Sequence, residues 1–380
     1  MSLALHLGEP TPGGAFVCAQ ASDPLWQRAA DRCADTLLAA QLPLALGFVY
    51  VSDLHAPRFA SIVECLRERT GIAHWVGATG IGVCATGRED FDEPAISVLA
   101  GTFPGGGFRV LDGMPQDEEG AVLEAGGTDA NLAVVHGDPG DPRVVERVRA
   151  LARRVSSGFV VGGLASGRGE PLRYADGVAG AGLSGVLLGE DVPVLTRISH
   201  GCVPVGPRRV VTECHRNVIM KLDDLPALEA FDRDAGERHG GDYRRAAADL
   251  FAGLVIGGGD SPDYLVRNLV GVDPQQQWLA IGDQVEPGAE LVFCRRDAQT
   301  AREGMTRMLD DAREAVGGTP RGGLYFSCLG RGEGLFGPGT GELALIARHL
   351  GEFPLAGFFG NGEVSHDRLH GYTGVLLLFT

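Results

Sequence analysis

Short apolar runs, which read as strands, alternate with stretches whose apolar positions recur every three or four residues, which read as helices, and this order returns three times. In the first copy the run Leu44 to Val51 leads into a helix with Pro57 near its start and Phe59, Ile62, Val63 and Leu66 on one face. Gly71, the run Ala73 to Val76 and, after a long loop, Ala95 to Ala100 follow. The second copy has Leu132 to Val135, a helix opened by Asp141-Pro142 with Val144, Val145, Val148, Leu151 and Val155 inward, Gly158, Phe159 to Val161 and Gly185 to Leu188. The third has Leu324 to Cys328, Pro338, a helix with Leu343, Ile346, Ala347 and Leu350 inward, Gly351, Leu355 to Phe359 and Val375 to Phe379. Proline at each helix start and glycine after each end is the asymmetry that helix termini favour. The expected fold class is α/β, with mixed sheets built from repeated β-α-β-β units in a two-domain body with internal duplication. A unit of about 60 residues is too long for a short-period solenoid.

Outside the copies, residues 1–29 read as a lead-in and helix start, with an edge strand around Phe16 to Ala19. Ser22 and Asp23 are expected to cap, and Pro24 to open, a helix with Trp26, Ala30, Cys33, Leu37 and Leu38 inward. Between the second and third copies, alternation predicts strands through Val210, Thr212 and Cys214 and from Val218 to Leu222. A short helix follows at Leu225 to Phe231, and the charged stretch 231–245 reads as a linker. Phe251 to Ile256, Leu265 to Gly271, Trp278 to Ile281 and Glu290 to Cys294 predict a meander. Ala298 to Val316 predicts a helix with Ala301, Met305, Met308 and Ala312 at helical spacing.

A right-handed β-α-β crossover makes its two strands parallel, so both end at one sheet edge, where ligands of α/β sheets gather. In the third copy this edge collects Cys328, Gly330, Arg331 and Gly332 with Asn361, Gly362 and Glu363, and the following loop is expected to bring His366 and His370. The equivalent places hold Asp138, Arg168, Glu170 and Asp176 in the second copy, and Asp53, His55 and Thr79 in the first.

Composition narrows the partners. With 33 Lys+Arg against 49 Asp+Glu, the formal charge of −16 speaks against nucleic acid and anionic membranes and leaves small molecules and proteins. Eight cysteines without a CxxC pair read as reduced thiols. No run approaches the ~20 apolar residues of a membrane span, and the first residues lack the basic start of a signal peptide, so the cytoplasm is expected. GxxxxGK[ST] is absent, and the glycines at 77, 80, 82, 162, 163 and 257–259 open no helix in a GxGxxG frame, which excludes nucleotide binding by those motifs.

The stretch Phe326-Ser327-Cys328-Leu329-Gly330-Arg331-Gly332, with Leu335-Phe336, Pro354 to Glu363 and Leu369-His370-Gly371-Tyr372-Thr373, resembles the C-terminal half of FIST-domain proteins. VGATG at 76–80, VGGLASGRGE at 161–170 and ISHGCVPVGP at 198–207 resemble the N-terminal half. The resemblance implies an N-terminal domain over residues 30–215 and a C-terminal domain over 216–380. It also implies a sensory, ligand-binding module of signal transduction, with a small molecule such as an amino acid as ligand. Some relatives carry signalling domains or an F-box. This chain reads as a stand-alone type whose output passes through a separate signalling protein. A subset of the family binds haem, which would make His200 an axial ligand; a hydrogen-bonded structural histidine is the competing reading.

Arg331 and Glu363 carry the ligand reading: a guanidinium for a carboxylate, a carboxylate for an ammonium, with Asn361, His370 and the amides of Gly330, Gly332 and Gly362 beside them. Against it stands a structural ion pair between the two. Cys328 before a glycine-rich turn is the candidate nucleophile of an alternative enzyme, with His370 as base, and is otherwise a small packing residue. His366 and His370 lie four apart in a loop and make no helical metal motif, so no metal is assigned.

Overall fold

The strand Leu46–Ser52 is buried along its whole length, which explains its unbroken apolar sequence, because a strand covered on both faces has no solvent side. It pairs in parallel with His74–Gly80 across helix Phe59–Thr70, and antiparallel with Ala95–Gly101. Two further sheets are connected in the same order. Thr128–Gly137 is parallel to Phe159–Leu164 across helix Val144–Ala152 and antiparallel to Leu183–Gly189. Gly322–Cys328 is parallel to Leu355–Gly360 across helix Gly341–Leu350 and antiparallel to Thr373–Phe379. The chain is thus a mixed α/β protein.

The computed structural model describes residues 15–103, 107–113, 121–235, 243, 249–256, 263–337 and 341–380, so Pro338 and the glycines at 257–259 lie outside the described residues. Two compact units result: residues up to His200 with Gly304–Leu369 and Thr373–Thr380, and Gly201–Glu303 with His370–Tyr372. The three sheets belong to the first.

Each of the three sheets also takes in a strand from a distant stretch. The hairpin of Gly82–Ala85 and Arg88–Phe91 extends the third sheet beside Leu355–Gly360. Glu363–His366 extends the second beside Phe159–Leu164, and Arg173–Ala175 extends the first beside His74–Gly80. Residues 363–366 are therefore strand rather than the expected loop, and Arg368–His370 is a strand as well. The backbone groups there find partners in Val160 to Gly163, which no local pattern announces.

Alternation across the strands sorts the core. Phe48, Tyr50, Val134, Val161, Phe326 and Phe358 face a shared interior. Val49, Val51 and Trp75 of the first sheet pack under helices Trp26–Ala39 and Phe59–Thr70. Ala133 and Val135 of the second pack under Val144–Ala152. In the third sheet the corresponding positions of Gly322–Cys328 are Tyr325 and Ser327, both buried and both hydrogen-bonded to Glu342 of the covering helix.

Two local expectations differ from the structure. The first helix starts at Trp26 after Leu25 with no side-chain cap, because Ser22 ends the strand Phe16–Ser22 and bonds Glu93 while Asp23 accepts from the Leu25 amide. The stretch read as a linker begins inside helix Ala227–Ala235, where Phe231 is buried; of its remainder only Tyr243 is described.

The second unit is an antiparallel ring. Arg209–His215, Val218–Leu222, Trp278–Ile281, Asp263–Asp273, Leu250–Ile256 and Glu290–Arg296 pair in sequence around it. Glu290–Arg296 also pairs with Arg209–His215, which closes the ring and removes its open edges. Helix Ala227–Ala235 places Leu228 and Phe231 in its core, with Phe231 edge-on to Phe293 at 5.0 Å.

Candidate functional site

The third sheet ends in the turn 329–331 and the short helix Gly332–Phe336, which together turn the Arg331 side chain back under the covering helix. Gly332 has φ +41°, and a Cβ there would come within 3.0 Å of the Phe91 ring. Glycine is what lets the chain pass under the incoming hairpin.

Arg331 is 1% exposed. Its Nε and Nη2 donate to Glu342 Oε1 at 2.8 and 2.7 Å. Nη1 and Nη2 reach the carbonyl and hydroxyl oxygens of Ser199 at 3.2 and 3.5 Å, and the guanidinium carbon lies 4.9 Å from the Phe336 ring centre. The Tyr325 hydroxyl donates to Glu342 Oε1 at 2.8 Å and the Ser327 hydroxyl to Oε2 at 2.9 Å. Glu342 thus holds a buried ion pair and two hydroxyls.

Neither sequence reading of Arg331 describes this arrangement: in place of the structural ion pair with Glu363 that stood against the ligand reading, the guanidinium pairs with Glu342. Glu363 opens the strand Glu363–His366 of the second sheet and is fully buried; its Oε2 accepts from the amide and hydroxyl of Thr373, in the third sheet, at 3.2 and 2.7 Å. Its Oε1 has no hydrogen-bond partner among the described residues. Burial pushes its carboxyl up to about 8; the Thr373 donors and Arg331 pull the other way, and Glu342 adds to the rise. Glu89, from the incoming hairpin, is pushed up to about 7 by burial and by Glu342, while the amides of Leu343 and Glu342 lower it. Burial lowers the Arg331 guanidinium, but Glu342 and Tyr325 outweigh it and the net shift is upward. Glu342 and Glu363 thus act on one guanidinium, and Glu363 and Glu89 are driven towards the protonated form.

Cys328 is half-buried at the end of its strand and in no disulfide. Gly330 lies in the turn, and Gly362 is buried with φ +133°. Asn361 is exposed; its amide donates to Leu164 O at 3.1 Å and its side chain reaches Ala165 O at 3.5 Å. Arg331, Glu363, Gly330, Gly332, Asn361 and Gly362 all belong to the first unit, whereas His370 is grouped with the second. His200 ends strand Val194–His200, half-buried.

The sites expected at the other two sheets are occupied by structural bonds. Asp176 accepts from His74 and the Trp75 amide at 2.7 and 2.9 Å. Arg168 pairs with Asp53 and Asp92, and Asp138 lies 3.4 Å from Arg173. His55 bonds the Asp23 carbonyl at 3.0 Å. Among the described residues no group of three His, Cys, Asp or Glu side chains could hold a metal ion.

Sequence reasoning missed Glu342, Tyr325, Ser327, Ser199 and Glu89. For three of them a signal existed. Tyr325 and Ser327 are the polar members of an otherwise apolar run, on the same face by alternation, and Glu342 precedes the apolar Leu343 in the first turn of the helix above them.

No helix among the described residues is long and apolar enough to cross a membrane. An uncharacterized protein of Mycobacterium tuberculosis is 30% identical over 353 residues, covering 88% of this chain and 91% of its own length. Another, from Mycobacterium bovis, is 29% identical over 364 residues, covering 90% and 92%. Residues 45–225 match the FIST N domain and residues 227–366 the FIST C domain. Such domains are in general sensory modules of signal transduction, and by this match over most of its length the chain belongs to the FIST-domain family.

Proposed function

We propose that this chain is the ligand-reading part of a signalling system, that it holds a small polar metabolite such as an amino acid, and that it passes the bound state to a separate signalling protein. The ligand site in this reading is the carboxyl edge of the third sheet, with Glu363, Asn361, Gly330, Gly332 and Gly362 around it. Arg331 acts there from below, as the buried charge that tunes Glu363. The shared connectivity of the three sheets supports reading them as copies of one β-α-β-β unit, of which the third has exchanged an apolar helix seat for a polar one.

The observation that carries this reading is the Glu363 Oε1 atom, buried and without a donor. The large majority of buried side-chain polar atoms find a partner, and a ligand group is one way to complete this one: an acceptor for the protonated carboxyl, or an ammonium that holds it ionised. A thermal-shift screen over the amino acids and small carboxylates tests it. Glu363→Gln is expected to abolish the shift of any hit. Hits that persist in Glu363→Gln unfold the site assignment, and a screen without hits counts against the ligand class.

A further inference from the structure

A cleft of about 340 Å³ opens in the first unit, between strand Val194–His200, helix Ala298–Val316 and strand Glu363–His366. Its polar lining comes from Thr196, Arg197, Arg307, Asp311 and Ser365, and its apolar lining from Phe159, Ile198 and Met308. That volume lies within the range of small-molecule sites.

The charges in it are unspent. Arg197 donates only to the neighbouring Thr196 carbonyl, at 2.9 Å, and among the described residues neither Arg197 nor Arg307 has a carboxylate partner. In a chain of formal charge −16, most arginines that reach an acid have taken one, as Arg69, Arg168, Arg209 and Arg267 do. Asp311, one helical turn after Arg307, also makes no ion pair among the described residues and lines the same cleft.

The floor is open by choice of residue. Gly304 lies inside a 19-residue helix, where glycine costs stability relative to alanine. A Cβ there would sit 3.7 Å from the His200 carbonyl oxygen and 3.9 Å from Arg307 Nη2, which is ordinary contact. Nothing in the packing therefore demands glycine, while any larger side chain would enter the cleft beneath the Arg307 guanidinium. Phe159, 37% exposed, offers an aromatic wall.

We propose that this cleft binds a small carboxylic acid with an apolar body: the carboxylate on Arg197 and Arg307, the body over Phe159, Ile198 and Met308. Asp311 lines the same cleft and can accept from an ammonium group, so an α-amino acid is the extended form of the same ligand class. The site is distinct from the buried network, because among the described residues Arg197, Arg307 and Asp311 make no hydrogen bond or ion pair with Glu342, Glu363 or Arg331.

Titration calorimetry with phenylacetate, L-phenylalanine, phenethylamine and inorganic phosphate tests the assignment on the full chain. Saturable binding of phenylacetate is expected, at least ten-fold tighter than phosphate, with none for phenethylamine. Arg197→Ala with Arg307→Ala is expected to weaken phenylacetate at least ten-fold, as is Gly304→Leu, which fills the cleft without changing charge. Asp311→Asn should weaken L-phenylalanine alone, and Glu363→Gln should leave phenylacetate unchanged, which separates this site from the one proposed above. The thermal transition of each variant confirms folding. Absence of phenylacetate binding to the unaltered protein, equal binding of phosphate, or binding that survives both the double arginine variant and Gly304→Leu overturns the proposal.

Discussion

Arg331 Nη2 and Glu342 Oε1 meet at 2.7 Å with neither side chain reaching solvent. A buried pair of this kind gains little over an apolar substitute, but removing one member strands the other. Glu342→Gln is therefore expected to lose about 3–5 kcal/mol of stability, because the buried guanidinium loses its hydrogen-bonded counterion. The double variant Arg331→Met with Glu342→Gln should recover most of that loss. Chemical denaturation of the single and double variants checks both, and a double variant no better than the single one would show that the pair contributes more than charge neutralisation.

Two raised carboxyls and one depressed histidine should pull stability in opposite directions as pH changes, over windows that overlap between pH 4.5 and 6.5. Glu363 and Glu89 have folded values raised to about 8 and about 7 from 4.5, so the folded state holds protons that the unfolded chain releases. Their contribution is complete below pH 4.5 and is lost as pH rises through 7 and 8. His136, fully buried, is lowered by burial and by Arg173 from 6.5 to about 3. Below pH 6.5 the unfolded chain takes up a proton there that the folded state refuses, so stability falls as pH drops towards 3. Melting temperature is expected to peak near the unfolded carboxyl value of 4.5, falling towards pH 3 through His136 and towards pH 8 through Glu89 and Glu363, and Glu363→Gln is expected to flatten the alkaline limb.

Gly77, Gly162 and Gly357 occupy matching places in the second parallel strand of each sheet. A Cβ would lie 1.7 Å from the Val49 carbonyl oxygen, 1.9 Å from that of Val135 and 1.8 Å from that of Tyr325, respectively. Backbone cannot yield as a side-chain tip can. Gly357→Ala is expected to cost about 3 kcal/mol or more, whereas Gly334→Ala, with nothing within 4 Å, should change little. Denaturation midpoints of the two variants make the comparison.

The strands and helices of the three sheets were legible because each is a buried run or an amphipathic stretch with its own punctuation, as Leu46–Ser52 and Gly341–Leu350 show. Which strand joins which sheet was not. Gly82–Ala85 pairs with Ala356 to Phe359, more than 250 residues away in sequence, and pairing across such separations leaves no local trace. The same limit explains the site. Arg331 and Glu363 stand out as charges in glycine-rich turns, but Glu342 looks like any acid at a helix start. Only its position over Tyr325 and Ser327 makes it the centre of the network.

The two oxygens of Glu342 are not equally supported, and this gives the sharpest test of that network. Oε1 accepts from Tyr325, Arg331 Nε and Arg331 Nη2, whereas among the side chains of the described residues the Ser327 hydroxyl is the only donor to Oε2. Tyr325→Phe removes one of several donors to Oε1 and keeps the ring, so it should cost about 1 kcal/mol. Ser327→Ala leaves a buried charged oxygen with no side-chain donor and should cost about 1–3 kcal/mol, although each substitution deletes a single hydroxyl. Unfolding free energies of the two variants decide it. If Tyr325→Phe proves the more costly, Glu342 is held chiefly through the tyrosine, and the carboxylate has rotated to let Arg331 serve both oxygens.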